Sequence, residues 1–319
     1  MDQTASAKSI MKTRSGTSGP NRFLREFVQQ KYLYLMVLPG FLIVLVFAYF
    51  PMYGVLVAFK DYNVAKGIWG SEWVGFKYFK QFLDNPMALR TIKNTLILGA
   101  YGLVFGFPAP IVLALLLNEI RHTAFKKFVQ TVSYFPHFIS TVIIVGMIKE
   151  FTSLDGLFNQ ITGLFGLEPI NFMTESKYFR ALFIGSGIWQ GIGWGTILYL
   201  AALSNADPTL YDVASIDGAN RWQKIRNISI PAIMPTIIIL FIMSVGGILG
   251  TDFMKVLLMY NPSTYEKADV IDTYVYRLGI EGGRFEYAAA VGLMLSAVSF
   301  LFVLITNRLS RKYSETSLW

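Results

Sequence analysis

Apolar runs of about twenty residues recur along most of this chain, and a run of that length leaves few structural choices. A helix of about twenty residues reaches across the hydrocarbon of a bilayer, where every backbone N–H and C=O must find its partner inside the protein. The chain of 319 residues is 54% hydrophobic with a mean hydropathy of +0.47. Charged residues make up 15%, against about 25% in a soluble domain. The expectation is an all-α polytopic membrane protein with six transmembrane helices, near 32–59, 92–118, 128–149, 178–203, 232–256 and 285–307. They form one domain, 32–307, between a polar tail 1–31 and a short basic tail 308–319. The remaining polar segments are too short for a separate soluble domain.

The connections carry their own signals. Residues 21–31 place Phe23, Leu24, Phe27 and Val28 on one side of a surface helix. The apolar run that follows is too long for the core of a secretory signal and lacks a small-residue cleavage site. Residues 60–91 are rich in Trp, Tyr and Phe, as expected of a segment lying at an outer interface. Residues 150–177 and 257–284 read as outer loops. The tails and the loops 118–127 and 204–231 hold 15 Lys and Arg against 7 Asp and Glu, whereas the rest holds 13 of each. The whole net charge of +8 thus lies on one side, which orients both termini to the cytoplasm. A charge spread over loops also argues against nucleic acid, which calls for a clustered basic face with stacking aromatics.

Several chemistries are excluded. There is no cysteine, the two histidines, His122 and His137, stand fifteen residues apart, and no Gly-Lys pair exists from which to build a P-loop. Ionisable residues are scarce in the spans. Lys93, Glu150, Asp252, Lys255 and Glu286 sit near span ends and can reach the interface, Asp252 being the deepest and a candidate for a pore or gate. That scarcity weighs against an ion-coupled secondary carrier, which needs a buried acid relay.

Residues 211–235, YDVASIDGANRWQKIRNISIPAIMP, form a long polar stretch between two apolar segments. Asp212 to Ile216 suit a short helix, Asp217-Gly218 a turn, and Asn220 to Ile228 a second helix, with Pro231 and Pro235 leading into the next run. On physics alone a solvated basic loop fits equally well. The order Asp212-Val-Ala214-x-x-Asp217-Gly218-Ala219, with Pro231 and Pro235 beyond it, resembles the EAA loop of ABC importer permeases. Asp212 stands for the usual Glu, Val213 and Ala214 for the two alanines, Gly218 for the glycine, and Ile228 and Pro231 for the Ile-x-x-Pro that follows.

The resemblance extends over nearly the whole chain. Residues 32–40 (YLYLMVLPG), 105–119 (FGFPAPIVLALLLNE), 133–140 (SYFPHFIS) and 269–277 (DVIDTYVYR) look like the MalF-type permeases of carbohydrate importers, nearest the branch for oligosaccharides from polysaccharides, acidic ones included. The large outer insertion and extra leading spans of some maltose permeases are missing. The resemblance implies a MetI-like permease fold in a bacterial cell membrane. It also implies a heterodimer with a second, MalG-type permease, two ATP-binding subunits holding ATP and Mg, and an extracellular or periplasmic solute-binding protein. No cofactor or metal is expected in this chain itself. The coupling residues it implies are Asp212, Ala214, Asp217, Gly218, Ala219, Arg221 and Pro231. The span before the loop carries Gly187, Gly191 and Gly195 four apart, with Gln190 and Trp194 on one face. The span after it carries Ser244, Gly247, Ile248 and Thr251 at helical spacing. Helix packing and backbone hydrogen bonding explain each of these singly. The resemblance places the sugar pathway there, on Gln190, Gly191, Trp194, Ser244, Gly247 and Thr251, with the aromatic face stacking on sugar rings.

Overall fold

The computed structural model describes residues 30–313 and 317–318. The surface helix expected at 21–31 lies outside them apart from its last two residues. Contacts divide the chain after Gly54. In the first unit, α1 (Lys31–Val44) runs into a π turn, Leu45–Tyr49, and then into a 3-10 helix that ends at Phe59.

The second unit opens within that 3-10 helix, at Val55, and continues into a two-stranded antiparallel ribbon, β1 (Lys60–Asp61) and β2 (Glu72–Trp73), with Lys60 opposite Trp73. This ribbon is a small exception to the all-helical expectation. The aromatics of 60–91 pack on one another here, Trp73 stacking on Phe59 at 5.6 Å and Phe79 following at 5.3 Å. Then come α2 (Lys77–Leu83), α3 (Pro86–Tyr101), α4 (Pro108–Glu119), α5 (Thr123–Tyr134), α6 (Thr141–Phe151) and α7 (Leu157–Gly163). They are followed by α8 (Ser176–Ser204), α9 (Pro208–Ile216), α10 (Arg221–Lys224) and α11 (Ile230–Gly246). The last are α12 (Phe253–Met259), α13 (Tyr265–Ala268), α14 (Ile271–Val275) and α15 (Phe285–Tyr313).

Four helical stretches are long and apolar enough to cross a membrane: Lys31–Phe59, Pro86–Glu119, Arg221–Gly246 and Phe285–Lys312. A fifth joins them if Thr123–Phe138 and Thr141–Phe151, bent by 100°, count as one span. The count of six therefore does not follow from length and composition. The third expected span, 128–149, is sharply bent because Pro136 lies in a 3-10 turn and Ser140 restarts the helix, its Oγ accepting from the Ile143 N–H at 3.4 Å. The fifth, expected at 232–256, begins at Arg221 and stops at Gly246. The fourth, α8, has 29 residues but is rich in Gly, Ser, Gln and Thr, which dilutes its hydropathy.

That dilution belongs to a central helix. Phe179, Phe183, Gly193, Thr196, Tyr199 and Leu203 are its buried residues, mostly three or four apart, as one face of a helix requires. It packs against α4, α5, α11 and α13. At Gly193 an added Cβ would collide with the Ser133 carbonyl of α5, so only glycine permits this approach. Thr196 Oγ1 donates to the Pro110 carbonyl of α4 at 3.2 Å.

The segment 257–284, expected as an outer loop, is a packed part of the core. Val270, Ile271, Thr273 and Tyr274 are buried, and Asn85 Nδ2 donates to the Tyr274 hydroxyl at 2.9 Å. At its centre Asp269 is fully buried and receives a two-pronged pair from Arg277 at 3.0 and 2.8 Å, with Arg90 at 3.8 Å. Its bonds to Asp269 raise the Arg277 pKa further above the ordinary guanidinium value. Removing one partner of a buried pair strands the other, at a cost of about 3–5 kcal/mol. Asp269→Ala is therefore expected to lower the apparent melting temperature of the purified protein markedly. The double variant Asp269→Ala/Arg277→Met should recover part of the loss in the same thermal scan.

Candidate functional site

Two features stand out, an exposed elbow and a cavity, and one helix connects them. The elbow starts at α9. Asp207 caps its N-terminus, Oδ1 accepting from the Thr209 N–H at 2.9 Å, and that backbone bond holds its carboxyl below the usual carboxylate range. The helix ends in a Schellman turn. Gly218 adopts φ 74°, its N–H reaches the Ser215 carbonyl at 3.2 Å, and the Ala219 N–H reaches the Ala214 carbonyl at 2.8 Å. Nothing lies within 4 Å of a Cβ at Gly218. The left-handed φ, rather than a close approach, is what requires glycine within this chain. Asn220 then opens α10 with a reciprocal cap. Its Oδ1 accepts from the Gln223 N–H at 2.9 Å while its own N–H donates to Gln223 Oε1 at 2.7 Å.

The two arms are pinned to each other. Lys224 Nζ donates to Ser215 Oγ at 2.5 Å, and the Tyr211 hydroxyl meets Ser229 Oγ at 2.9 Å. The tip is exposed and partly apolar. Asp212, Asp217, Gly218 and Arg221 face solvent beside Val213, Ile216 and Trp222. Ala214 and Ala219 are half-buried beneath them. Pro231 does not begin a new helix. The helix from Arg221 to Gly246 is continuous, with a π turn, Ile225–Ser229, just before the proline.

The cavity has a volume of 690 Å³. Gln190, Gly191, Ser244, Gly247 and Thr251 line it, as do Gly187 and Gly195. Trp194 does not. Its ring stacks on His137 at 4.4 Å, with Phe138 edge-on at 6.0 Å, and the residue is exposed outside the cavity. Nor is the stripe from Ser244 to Thr251 helical. Three glycines in five residues, 246, 247 and 250, end α11, and Thr251 sits in the break, its Oγ1 donating to Asp272 Oδ2 at 2.7 Å. Ser244 Oγ donates to the Leu240 carbonyl of its own helix at 2.8 Å, and Gln190 Nε2 to the Ile139 carbonyl at 3.3 Å.

One lining residue departs from expectation. Lys255 does not reach a membrane surface; it is 2% exposed and its Nζ donates to the Phe183 carbonyl at 3.2 Å. Asp252 N-caps α12, Oδ1 accepting from the Lys255 N–H at 3.1 Å. The signal was present in the run Gly246 to Asp252, which reads as a helix stop followed by an N-cap. A helix that restarts there carries Lys255 into the protein.

Residues 106–315 match the family described as the binding-protein-dependent transport system inner membrane component. The chain belongs to that family. Among relatives of this permease chain, the polygalacturonan/rhamnogalacturonan transport system permease protein YteP of Bacillus subtilis (strain 168) is 46% identical over 299 residues, covering 93% of each chain. Protein LplB of the same organism is 44% identical, covering 91% of this chain and 92% of its own. A chain in the crystal structure of a bacterial alginate ABC transporter, in complex with an alginate pentasaccharide-bound periplasmic protein, superposes with a TM-score of 0.86. It is 41% identical over 93% of this chain and all of that one. The permease therefore shares that fold and is an inner membrane component of a transport system, a transport subunit rather than a catalytic one. The EAA pattern at 212–218 agrees with the family. The ion-coupled carrier finds no support among these relatives.

The glycines of α8 separate packing from cavity. Gly191 meets nothing within 4 Å, so Gly191→Ala is expected to leave the melting temperature nearly unchanged. Gly193→Ala should lower it, by the equivalent of about 1–3 kcal/mol for an overpacked site, in thermal scans of the purified protein.

Proposed function

We propose that this permease is one half of the translocation pore of an ATP-driven importer of oligosaccharides derived from polysaccharides. A second permease of similar fold forms the other half. Two ATP-binding subunits dock on the elbow, and a solute-binding protein delivers the sugar from outside. Six spans follow if the bent pair α5–α6 and the 29-residue α8 both cross; at 1.5 Å per residue α8 measures about 44 Å, ample for the bilayer core. Both termini and the elbow then lie in the cytoplasm, where the excess of Lys and Arg belongs.

One observation carries the reading. The exposed tip at Asp217-Gly218 is locked by caps and cross-bonds and runs without interruption into the helix that ends at the cavity. When the ATP-binding subunits close, they push Val213, Ile216 and Trp222. The helix Arg221–Gly246 moves as a lever, and the cavity walls of α8 and α11 shift against each other, opening the sugar path to alternate sides. Asp212 and Arg221 supply the charged contacts. The sugar meets Gln190, Gly191, Ser244, Gly247 and Thr251 on its way.

The test uses the complete complex in liposomes. Gly218→Pro cannot adopt the left-handed turn, and Asp212→Lys reverses a contact charge. Both variants should assemble in the membrane and retain sugar delivery outside, yet lose sugar-stimulated ATP hydrolysis and uptake. Normal uptake by either variant would refute the lever.

A further inference from the structure

We propose that Lys255 is a specificity-determining residue, its ammonium taking the carboxylate of a uronate-type oligosaccharide within the 690 Å³ cavity. The inference rests on the importer reading and narrows its substrate to acidic sugars. Lys255 stands in the first turn of α12 and contributes to the cavity lining, where it is the only Lys or Arg. Its Nζ lies 3.5 Å from where a Cβ on Gly187 would be, which puts the ammonium against the glycine that lines the cavity from α8.

The coordination of that ammonium is incomplete. It has three N–H donors. One protein acceptor serves it, the Phe183 carbonyl at 3.2 Å, and the Phe183 ring centroid is 5.1 Å away. Among the described residues no carboxylate comes within 4.0 Å of it. Asp252 is near but exposed, and its Oδ1 is spent on the backbone N–H of Lys255. Asp272 is taken by the backbone and hydroxyl of Thr251. A buried cation with one neutral acceptor is far from repaid for its lost hydration. An anion entering the cavity supplies what is missing.

The neighbouring groups fit the rest of a sugar. Ser244 and Thr251 already donate their hydroxyl hydrogens to the protein, and Gln190 one of its two amide hydrogens, which leaves oxygens able to accept from sugar hydroxyls. These acceptors serve neutral and acidic sugars alike. Two charged side chains line the cavity, Asp252 and Lys255, and of the two only Lys255 attracts a carboxylate.

The complex, reconstituted in nanodiscs without ATP or binding protein, is titrated with trigalacturonate and with its methyl ester, which keeps the shape and removes the charge. The wild type should prefer the acid by about tenfold or more, the scale of one hydrogen bond to a charged group. Lys255→Met should erase that preference without weakening the ester, and Lys255→Arg should keep most of it. Absence of a preference in the wild type would overturn the assignment. So would equal losses for both sugars in Lys255→Met, or loss of the second permease from that variant, which would place the lysine at the subunit interface. Because no ATP is involved, failure of ATP-driven uptake counts against the importer reading and leaves this measurement to stand alone.

Discussion

A backbone in hydrocarbon has no water to fall back on, so each amide and carbonyl must be satisfied within the protein. At three of its prolines this chain meets that demand by departing from a regular α-helix, whereas Pro39 and Pro235 lie within α-helices. A proline lacks the N–H that its helix expects, and its ring presses on the carbonyl four residues back. Three times the chain answers in the same way. The π turns Leu45–Tyr49, Gly102–Gly106 and Ile225–Ser229 stand just before Pro51, Pro108 and Pro231. Each contains the carbonyl that the proline disturbs, and each widens the helix there, with closing bonds such as Phe107 N–H to the Gly102 carbonyl at 2.9 Å. The helices therefore pass through their prolines unbroken.

For the elbow this has a mechanical consequence. If Pro231 had broken the helix, the turn at Gly218 would hang from a hinge and a push on it would be lost. Because the π turn absorbs the proline, α10 and α11 are one rod of about 39 Å at 1.5 Å per residue. Its lower end is fixed to α9 by the Lys224–Ser215 and Tyr211–Ser229 bonds. Its upper end, at Ser244 to Gly247, forms part of the cavity wall. A single secondary-structure element thus spans the distance between the exposed elbow and the cavity.

What could be read from residue types alone follows from where local chemistry governs. The apolar runs gave the helices that face lipid, because there hydrophobicity is the governing force. Asp217-Gly218 gave the elbow, because a left-handed residue after a short helix has few alternatives to glycine. Reading failed where packing outweighs pattern. Helix α8 falls short of a span by hydropathy because its neighbours, not lipid, cover much of it, and those contacts favour small residues such as Gly193. Trp194 lies outside the cavity and stacks one face on His137, a partner 57 positions away in the chain that no spacing rule could supply. A helix continued to 256 carries Lys255 to an interface, whereas the end of α11 at Gly246 turns it into the protein.

The break between α11 and α12 brings these points together. Irregular backbone at membrane depth is tolerated where it lines a cavity, and residues 247–252 do so. Four of their six amides have a protein partner. The Gly247 N–H reaches the Met243 carbonyl at 3.1 Å, the Ile248 N–H the Val245 carbonyl at 3.2 Å, the Gly250 N–H the Gly247 carbonyl at 2.9 Å, and the Thr251 N–H Asp272 Oδ2 at 3.2 Å. Asp252 then caps the next helix. A segment whose hydrogen bonds are nearly all within its own turn can swing without stranding polar groups in lipid, whereas a helix bent at the same point would have to break its ladder. The end of the rod is thus joined to a short turn, and beyond that turn sits the one buried ammonium in the cavity wall. If α11 moves as proposed, the motion meets Thr251, which is tied to Asp272 of the packed segment by its N–H and its hydroxyl, on the way to the ammonium of Lys255.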